Sequence, residues 1–314
     1  MARPSKLLIL AAFAALYLIW GSTYLAIRFA IDTIPPLLMA GARFLLAGVV
    51  MWAIARWQGA PKESLANWRT ALIIGACLLL GGNGGVTLSE QYISSGLASV
   101  IVATVPIYMA LLAWWTGIAP RPAPIIWLGL AGGLAGVALL LAPNLHFSAG
   151  DGNKAGLGML ILLCSSFTWS AGSIYSRKAK SVAPPLLLAG QQMICGGLLL
   201  TLGGFLTGEH RRLDLSHITP LSIGSFVYLV IIGALVGYTA YIFLLRHCEP
   251  AKVATYAYVN PIVAVLLGAV FAGETLSARA ILAATLIIGS VALVITVQQT
   301  APEPIATVET TSEA

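Results

Sequence analysis

Charged residues are so sparse along this chain that the intervals between them mark out its elements. Marking Lys, Arg, Asp and Glu leaves uncharged apolar runs at Leu7–Ile27, Thr70–Ser89, Gln91–Pro120, Pro122–Ala149 and Ala155–Ser176. The pattern continues with Ser181–Gly208, Leu215–Leu245, Val253–Gly273 and Ala280–Pro302. A tenth run, Thr33–Ala55, is interrupted once, by Arg43. A helix needs about 20 apolar residues to cross a hydrocarbon core roughly 30 Å thick, and every run supplies that length. The expectation is an all-α membrane protein of ten transmembrane helices, embedded in the lipid bilayer.

The runs fall into two related sets. Trp20–Gly48 reads WGSTYLAIRFAIDTIPPLLMAGARFLLAG and Trp169–Gly197 reads WSAGSIYSRKAKSVAPPLLLAGQQMICGG, with ten identities in 29 aligned positions at an offset of 149. An internal repeat outranks other signals because it sets the architecture. A first repeat over residues 1–149 (helices 1–5) and a second over 150–299 (helices 6–10) are predicted, followed by a cytoplasmic tail at 300–314. That tail has no Lys or Arg and carries Pro302, Pro304 and three Glu, a composition that does not fold. Five spans per repeat is an odd number, so the second copy enters the membrane upside down. Inverted repeats of this kind build secondary transporters, with the substrate near the midplane between the halves.

At an offset of 155, Pro106 in helix 4 aligns with Pro261 in helix 9. Each removes an amide donor within a span and frees a carbonyl, near Val102 and Ala257. Two readings stand: a hinge pair beside a cavity, or static kinks held by packing. Small residues four apart, Gly81 and Gly85, Gly129 and Gly133, Gly132 and Gly136, fit close helix contact. The GGNGG run at Gly81–Gly85 lies within a span without the Lys-Ser/Thr of a phosphate loop, so it reads as packing.

Composition agrees: 59% of residues are hydrophobic and 9% charged, against about 25% charged in soluble domains. With the N-terminus inside, eleven of the 17 Lys and Arg fall on the cytoplasmic side, five outside, and Arg43 within the membrane. This distribution places both termini in the cytoplasm of a multi-pass cell inner membrane protein. It also accounts for the net charge of +6 without nucleic-acid binding. The first apolar run is too long for a signal-peptide core and is read as helix 1. Cys77, Cys164, Cys195 and Cys248 lack metal-ligand spacing and read as small packing residues.

Several stretches are similar to a known group. WGSTYLAIR (Trp20–Arg28), PPLLMAGARF (Pro35–Phe44), GNGGVTLSE (Gly82–Glu90), SGLASVIVATVPIY (Ser95–Tyr108) and TYAYVNPIVAVLLG with GETL (Thr255–Gly268, Gly273–Leu276) resemble the drug/metabolite transporter superfamily. Within it they resemble the EamA family and its inner-membrane exporters. The resemblance spans residues 7–298. It implies ten helices, a central cavity formed mainly by helices 1, 3, 4, 6, 8 and 9, and export of small metabolites. One departure is clear: the Gly-Glu after the fourth span, present in the second half as Gly273-Glu274, reads Ile118-Ala119 in the first.

The residues themselves nominate a site. Arg43 lies about 10 Å into helix 2 at 1.5 Å per residue. An Arg at that depth faces the protein interior and needs a partner. Helix 3 offers Asn83, Thr87 and Glu90 on one face, and Glu90 is the carboxylate within reach. Arg43 and Glu90 are either a substrate-anchoring or proton-coupled pair, or a bridge locking two helices; protons are thus a candidate coupling ion. The second half differs: Gln192 stands where Arg43 does, and Tyr238 aligns with Asn83. It offers Tyr238 and Tyr241 on helix 8, and Tyr256 and Asn260 on helix 9. A cavity with one polar and one aromatic wall suits an amphiphilic small-molecule substrate, such as an amino acid with an apolar side chain. Trp20 and Tyr24 share a face of helix 1, and Trp169 repeats the Trp in helix 6. The two Trp residues either line a cavity floor and ceiling or fill matching packing sites. The four His residues lie in loops or at span edges. With no paired carboxylate near them, catalysis, metal and cofactor are not expected.

Overall fold

The computed structural model describes residues 4–62, 64–93, 98, 101–141, 152–179, 184–271 and 278–299. The predicted tail at 300–314, the Gly273-Glu274 pair and Lys180 lie outside them. In chain order the helices are α1 (Lys6–Ile31), α2 (Pro36–Trp57), α3 (Leu65–Ser89), α4 (Val105–Trp115) and α5 (Pro124–Leu141). There follow α6 (Gly152–Lys178), α7 (Pro185–Leu206), α8 (Pro220–His247), α9 (Tyr256–Phe271) and α10 (Ala278–Gln299). No strand occurs among the described residues. Of these helices α1, α2, α3, α6, α7 and α8 are long and apolar enough to cross a membrane. Shorter apolar stretches occupy Val105–Trp115, Pro124–Leu139 and Ile281–Val294.

Helix boundaries follow local chemistry. Ser5, Ser64 and Thr219 accept the third following amide at the starts of α1, α3 and α8. Pro36 and Pro185 open α2 and α7 as first-turn prolines, where the missing N–H costs nothing. Both helices end before a glycine with positive φ, Gly59 at +82° and Gly208 at +76°, the conformation that favours glycine at a helix end. These two glycines are again 149 residues apart.

Packing between helices is mirrored. α2 lies on α7 and α5 on α10, while α1 packs on α8 and α9 and α6 packs on α3 and α4. Replacing each helix by the one five places on reproduces the same set of neighbours. The α2–α7 crossing is close because glycines face backbone. A Cβ added at Gly48 would lie 2.9 Å from the Gly190 oxygen, and one at Gly197 would lie 3.0 Å from the Gly41 oxygen. Small residues permit that approach where lipid gives no hydrophobic drive for helix association. The expected role of the α5 glycines is observed: Gly133 seats the Tyr258 ring and Gly136 seats Ile287. The large apolar side chains left exposed, such as Leu10, Trp115, Leu206 and Leu282, form a surface suited to lipid.

Two features had no sequence signal. α3 and α8 each carry a π-helical stretch, Ala76–Gly84 and Leu229–Tyr238, in corresponding places. Such wide turns concentrate at functional sites. The second is Glu209, which sits in the α7–α8 loop yet is buried. Its two carboxylate oxygens accept the Leu37 and Leu38 amides at 3.2 and 3.0 Å, closing the N-terminus of α2.

Candidate functional site

A cavity with about 720 Å³ of empty space, openings included, lies between α1, α2, α3, α4, α6, α8 and α9. At one end it rests on an aromatic layer. The Trp20 ring centre lies 5.5 Å from Trp169, 5.0 Å from Tyr241 and 4.9 Å from Tyr256. Trp20 and Trp169 therefore meet in one layer instead of forming a floor and an opposite ceiling. Each is received by the π-helical stretch of the other half. A Cβ on Gly82 would come within 2.7 Å of Trp169, and one on Gly237 within 2.6 Å of Trp20. At both seats a Cβ would collide with the indole, so glycine lets each Trp ring dock directly on the wide turn.

The polar wall belongs to the first half. Arg43 is 5% exposed, and its Nη2 donates to Asn83 Oδ1 at 2.8 Å. Phe44 lies against the guanidinium at 4.3 Å. Thr87 is buried behind this pair and donates its hydroxyl to the Asn83 carbonyl at 2.9 Å. The second half makes the corresponding link with neutral groups: Tyr238 donates to Gln192 Oε1 at 2.9 Å. The same two repeat positions thus join α2 to α3 and α7 to α8, one pair carrying a charge and the other none.

The Arg43–Glu90 bridge is not formed. Both Glu90 oxygens lack a hydrogen-bond partner, as does Arg43 Nε. Arg28 and Arg43 nevertheless act on the carboxylate electrostatically, so Glu90 is a neighbour of the cavity and not part of its lining. The reason is depth: Asn83 and Glu90 share a helical face about 10 Å apart along the axis, and it is Asn83 that is level with the guanidinium.

Of the residues nominated from sequence, Trp20, Tyr24, Arg43, Asn83, Trp169, Tyr238, Tyr256 and Asn260 line the cavity. Thr87, Glu90 and Tyr241 do not. Tyr241 lies beneath, sharing a hydrogen bond with Ser173 at 2.5 Å. Pro106 stands in the first turn of α4, just after a turn at Ala103–Thr104, and Val102 and Val105 beside it line the cavity. Pro261 lies inside α9, next to Asn260. Thr23, beside Trp20 and Tyr24, also lines the cavity, as do Phe44, Ser165 and Ser166, which the sequence reading did not single out. Ser166 was findable, being three residues before Trp169 and so on the same helical face.

In the α7–α8 loop His217 Nδ1 approaches Asp214 Oδ2 at 2.7 Å. Hydrogen bonds from the Ser216 hydroxyl and amide, with His217 adding to them, hold the Asp214 carboxyl below its usual range. Between α8 and α9, burial raises the Glu249 carboxyl, with Arg177 and Lys252 opposing.

With this geometry in view the comparisons are informative. The EamA-like transporter family profile matches residues 6–142 and again 156–296. The chain belongs to the EamA-like transporter family. It is 39% identical over 287 residues to the uncharacterized inner membrane transporter YedA of Escherichia coli strain K12, covering 90% of this chain and 89% of that one. A probable amino-acid metabolite efflux pump of Salmonella typhimurium is 26% identical over 280 residues, covering 86% and 88%. A solved crystal structure superposes with a TM-score of 0.76 at 20% identity, covering 94% of this chain and 100% of the other, and so shares the fold. EamA relatives are thus membrane transporters, and the chain carries the family's helical architecture and membrane-length apolar helices.

Proposed function

We propose that this EamA protein is a secondary transporter that exports small metabolites across the inner membrane by alternating access between two inverted five-helix halves. The observation that carries the reading is the cavity itself, held between the halves and lined by a buried arginine and unpartnered polar atoms. Ten spans, repeats at 1–149 and 150–299, and cytoplasmic termini complete the proposal. The family match occurring twice and the mirrored set of helix neighbours support the duplication; the odd number of spans per copy supports the inversion. The Salmonella relative named as a probable amino-acid metabolite efflux pump favours amphiphilic metabolites as cargo. Pro106 and Pro261 are the proposed hinge positions, each beside cavity-lining residues of a helix that must move.

Glu90 is the proposed coupling site, since a buried carboxylate without a fixed partner is free to exchange a proton as its surroundings change. Cells overproducing the protein, tested against a panel of amino acids and toxic analogues, should accumulate at least one compound less than control cells. Unchanged accumulation across the panel would sink the export reading. Full, pH-dependent export by Glu90→Gln would remove Glu90 from coupling while leaving export in place.

A further inference from the structure

We infer that the cavity takes a small carboxylate with an apolar or aromatic body and that Arg43 anchors its anionic group; this rests on the transport reading above. A guanidinium carries five N–H donors. Arg43 makes one hydrogen bond, to the neutral side chain of Asn83, and its Nε has no partner. No carboxylate of the chain lies within ion-pair distance of it among the described residues. A buried arginine with free donors and a neutral partner is held in place but not neutralised. The planar fork of a guanidinium matches a carboxylate through two parallel hydrogen bonds. Phe44 against the guanidinium and Asn83 at Nη2 fix its plane, so the remaining edge is presented ready-made.

The rest of the lining defines the body of the ligand. Ser166 Oγ and Asn260 Oδ1 are polar atoms left without a partner. They can receive a hydroxyl or ammonium of the same molecule. Ile27, Val86, Val102 and Val105 supply apolar contact, and the aromatic layer closes one end. Arg43 is the one basic residue among the lining residues. One positive charge matches a carboxylate and leaves a phosphate dianion half compensated. The equivalent site in the second half, Gln192, is neutral and already engaged by Tyr238. Anion selection therefore resides on one wall and orients the ligand.

The test uses the purified full chain in lipid nanodiscs and reads binding by quenching of tryptophan fluorescence, Trp20 and Trp169 being in the site. Probes are paired acids and amides: 3-phenylpropionate with 3-phenylpropionamide, L-phenylalanine with L-phenylalaninamide, and L-leucine with L-leucinamide. The acids should bind about 10-fold or more tightly than the amides, the size expected for a hydrogen-bonded charge. Arg43→Gln, which copies Gln192, should abolish the preference. Asn83→Asp keeps an acceptor for Arg43 but supplies an internal anion; it should weaken the acids by about the same factor and spare the amides. It serves should Arg43→Gln fail to fold. Amides binding as tightly as acids, a preference that survives either substitution, or no acid binding at all overturns the anchor. Because no gradient is involved, such a result leaves the export assay to judge transport separately.

Discussion

Two arginines 149 residues apart, Arg28 and Arg177, end equivalent helices and meet opposite fates. Arg177 closes its end. Its Nη1 donates to the Leu245 carbonyl at 2.6 Å and also to the Cys248 carbonyl, tying α6 to the last turn of α8. Around it, Tyr17 and Thr255 share a hydrogen bond at 2.6 Å, and Lys178 donates to the Thr116 carbonyl at 3.3 Å. Shifted back by 155 residues, the two acceptors become Glu90 and Ile93. Arg28 makes no hydrogen bond to either; it is exposed, and the Glu90 carboxylate stays unpartnered. From the aromatic layer the lining of α1 runs from Trp20 to Ile27, towards Arg28. One sequence device, used twice, is engaged at one end and released at the other. Under the alternating-access mechanism proposed above, the second state would exchange the two clasps.

The comparison can be broken outright by topology. The Arg177 end should face the cytoplasm. A single cysteine at Asp214 should label with a membrane-impermeant maleimide added outside intact cells, and one at Lys178 should not. Labelling of Lys178 alone would reverse every statement about inside and outside.

The next effect concerns the clasp. Two hydrogen bonds from a charged donor contribute about 1.5–3 kcal/mol each, so losing them should open that end by roughly tenfold or more. Cys248 is only 9% exposed and reports the change directly. In a protein keeping Cys248 as its sole cysteine, Arg177→Ala should speed maleimide modification about tenfold, whereas Arg28→Ala should not speed it. Equal acceleration by both would show that the two ends are not in different states.

Smaller still are the matched tryptophan seats. Gly82→Ala and Gly237→Ala each force a methyl against an indole, and thermal melts should show a loss of roughly 1–3 kcal/mol in both halves. An unchanged melt for either would mean that its Trp is not held there as described. The smallest expected effect lies at the Arg28 end. Glu209→Gln removes a negative charge from the α2 N-terminus, an interaction of about 0.3–1 kcal/mol. The equivalent position in the first half is Ala60, so α7 has no matching cap. A melt indistinguishable from the parent would reduce Glu209 to a neutral hydrogen-bond acceptor.

Much of this architecture was legible in the residues because lipid imposes a one-dimensional rule: apolar length and charge placement alone mark a span. The α5 glycines carried a local signal of close packing that the structure bears out. Arg43 was nominated for the same reason, since burial in a span makes any charge conspicuous. Its partner was not legible. Asn83 and Glu90 share a helical face, so choosing between them depends on how far α3 is advanced along α2, which no residue pattern announces. Glu209 escaped for a related reason, because loop position predicted exposure while the turn after Gly208 folds it back onto α2.

By itself, then, the sequence determined an all-helical chain built from apolar segments, and it placed a charge at Arg43 where the matching position is Gln192. These depend on composition and spacing, which are properties of the chain as a line. Tertiary structure alone decided that Trp20 and Trp169 form one layer, that Arg43 meets a neutral partner, and that Arg177 clasps the end of α8 while Arg28 makes no hydrogen bond to Glu90 or Ile93. Those outcomes depend on how far one helix is rotated and advanced against another, and the energy that sets rotation is shared among many contacts far apart in the chain.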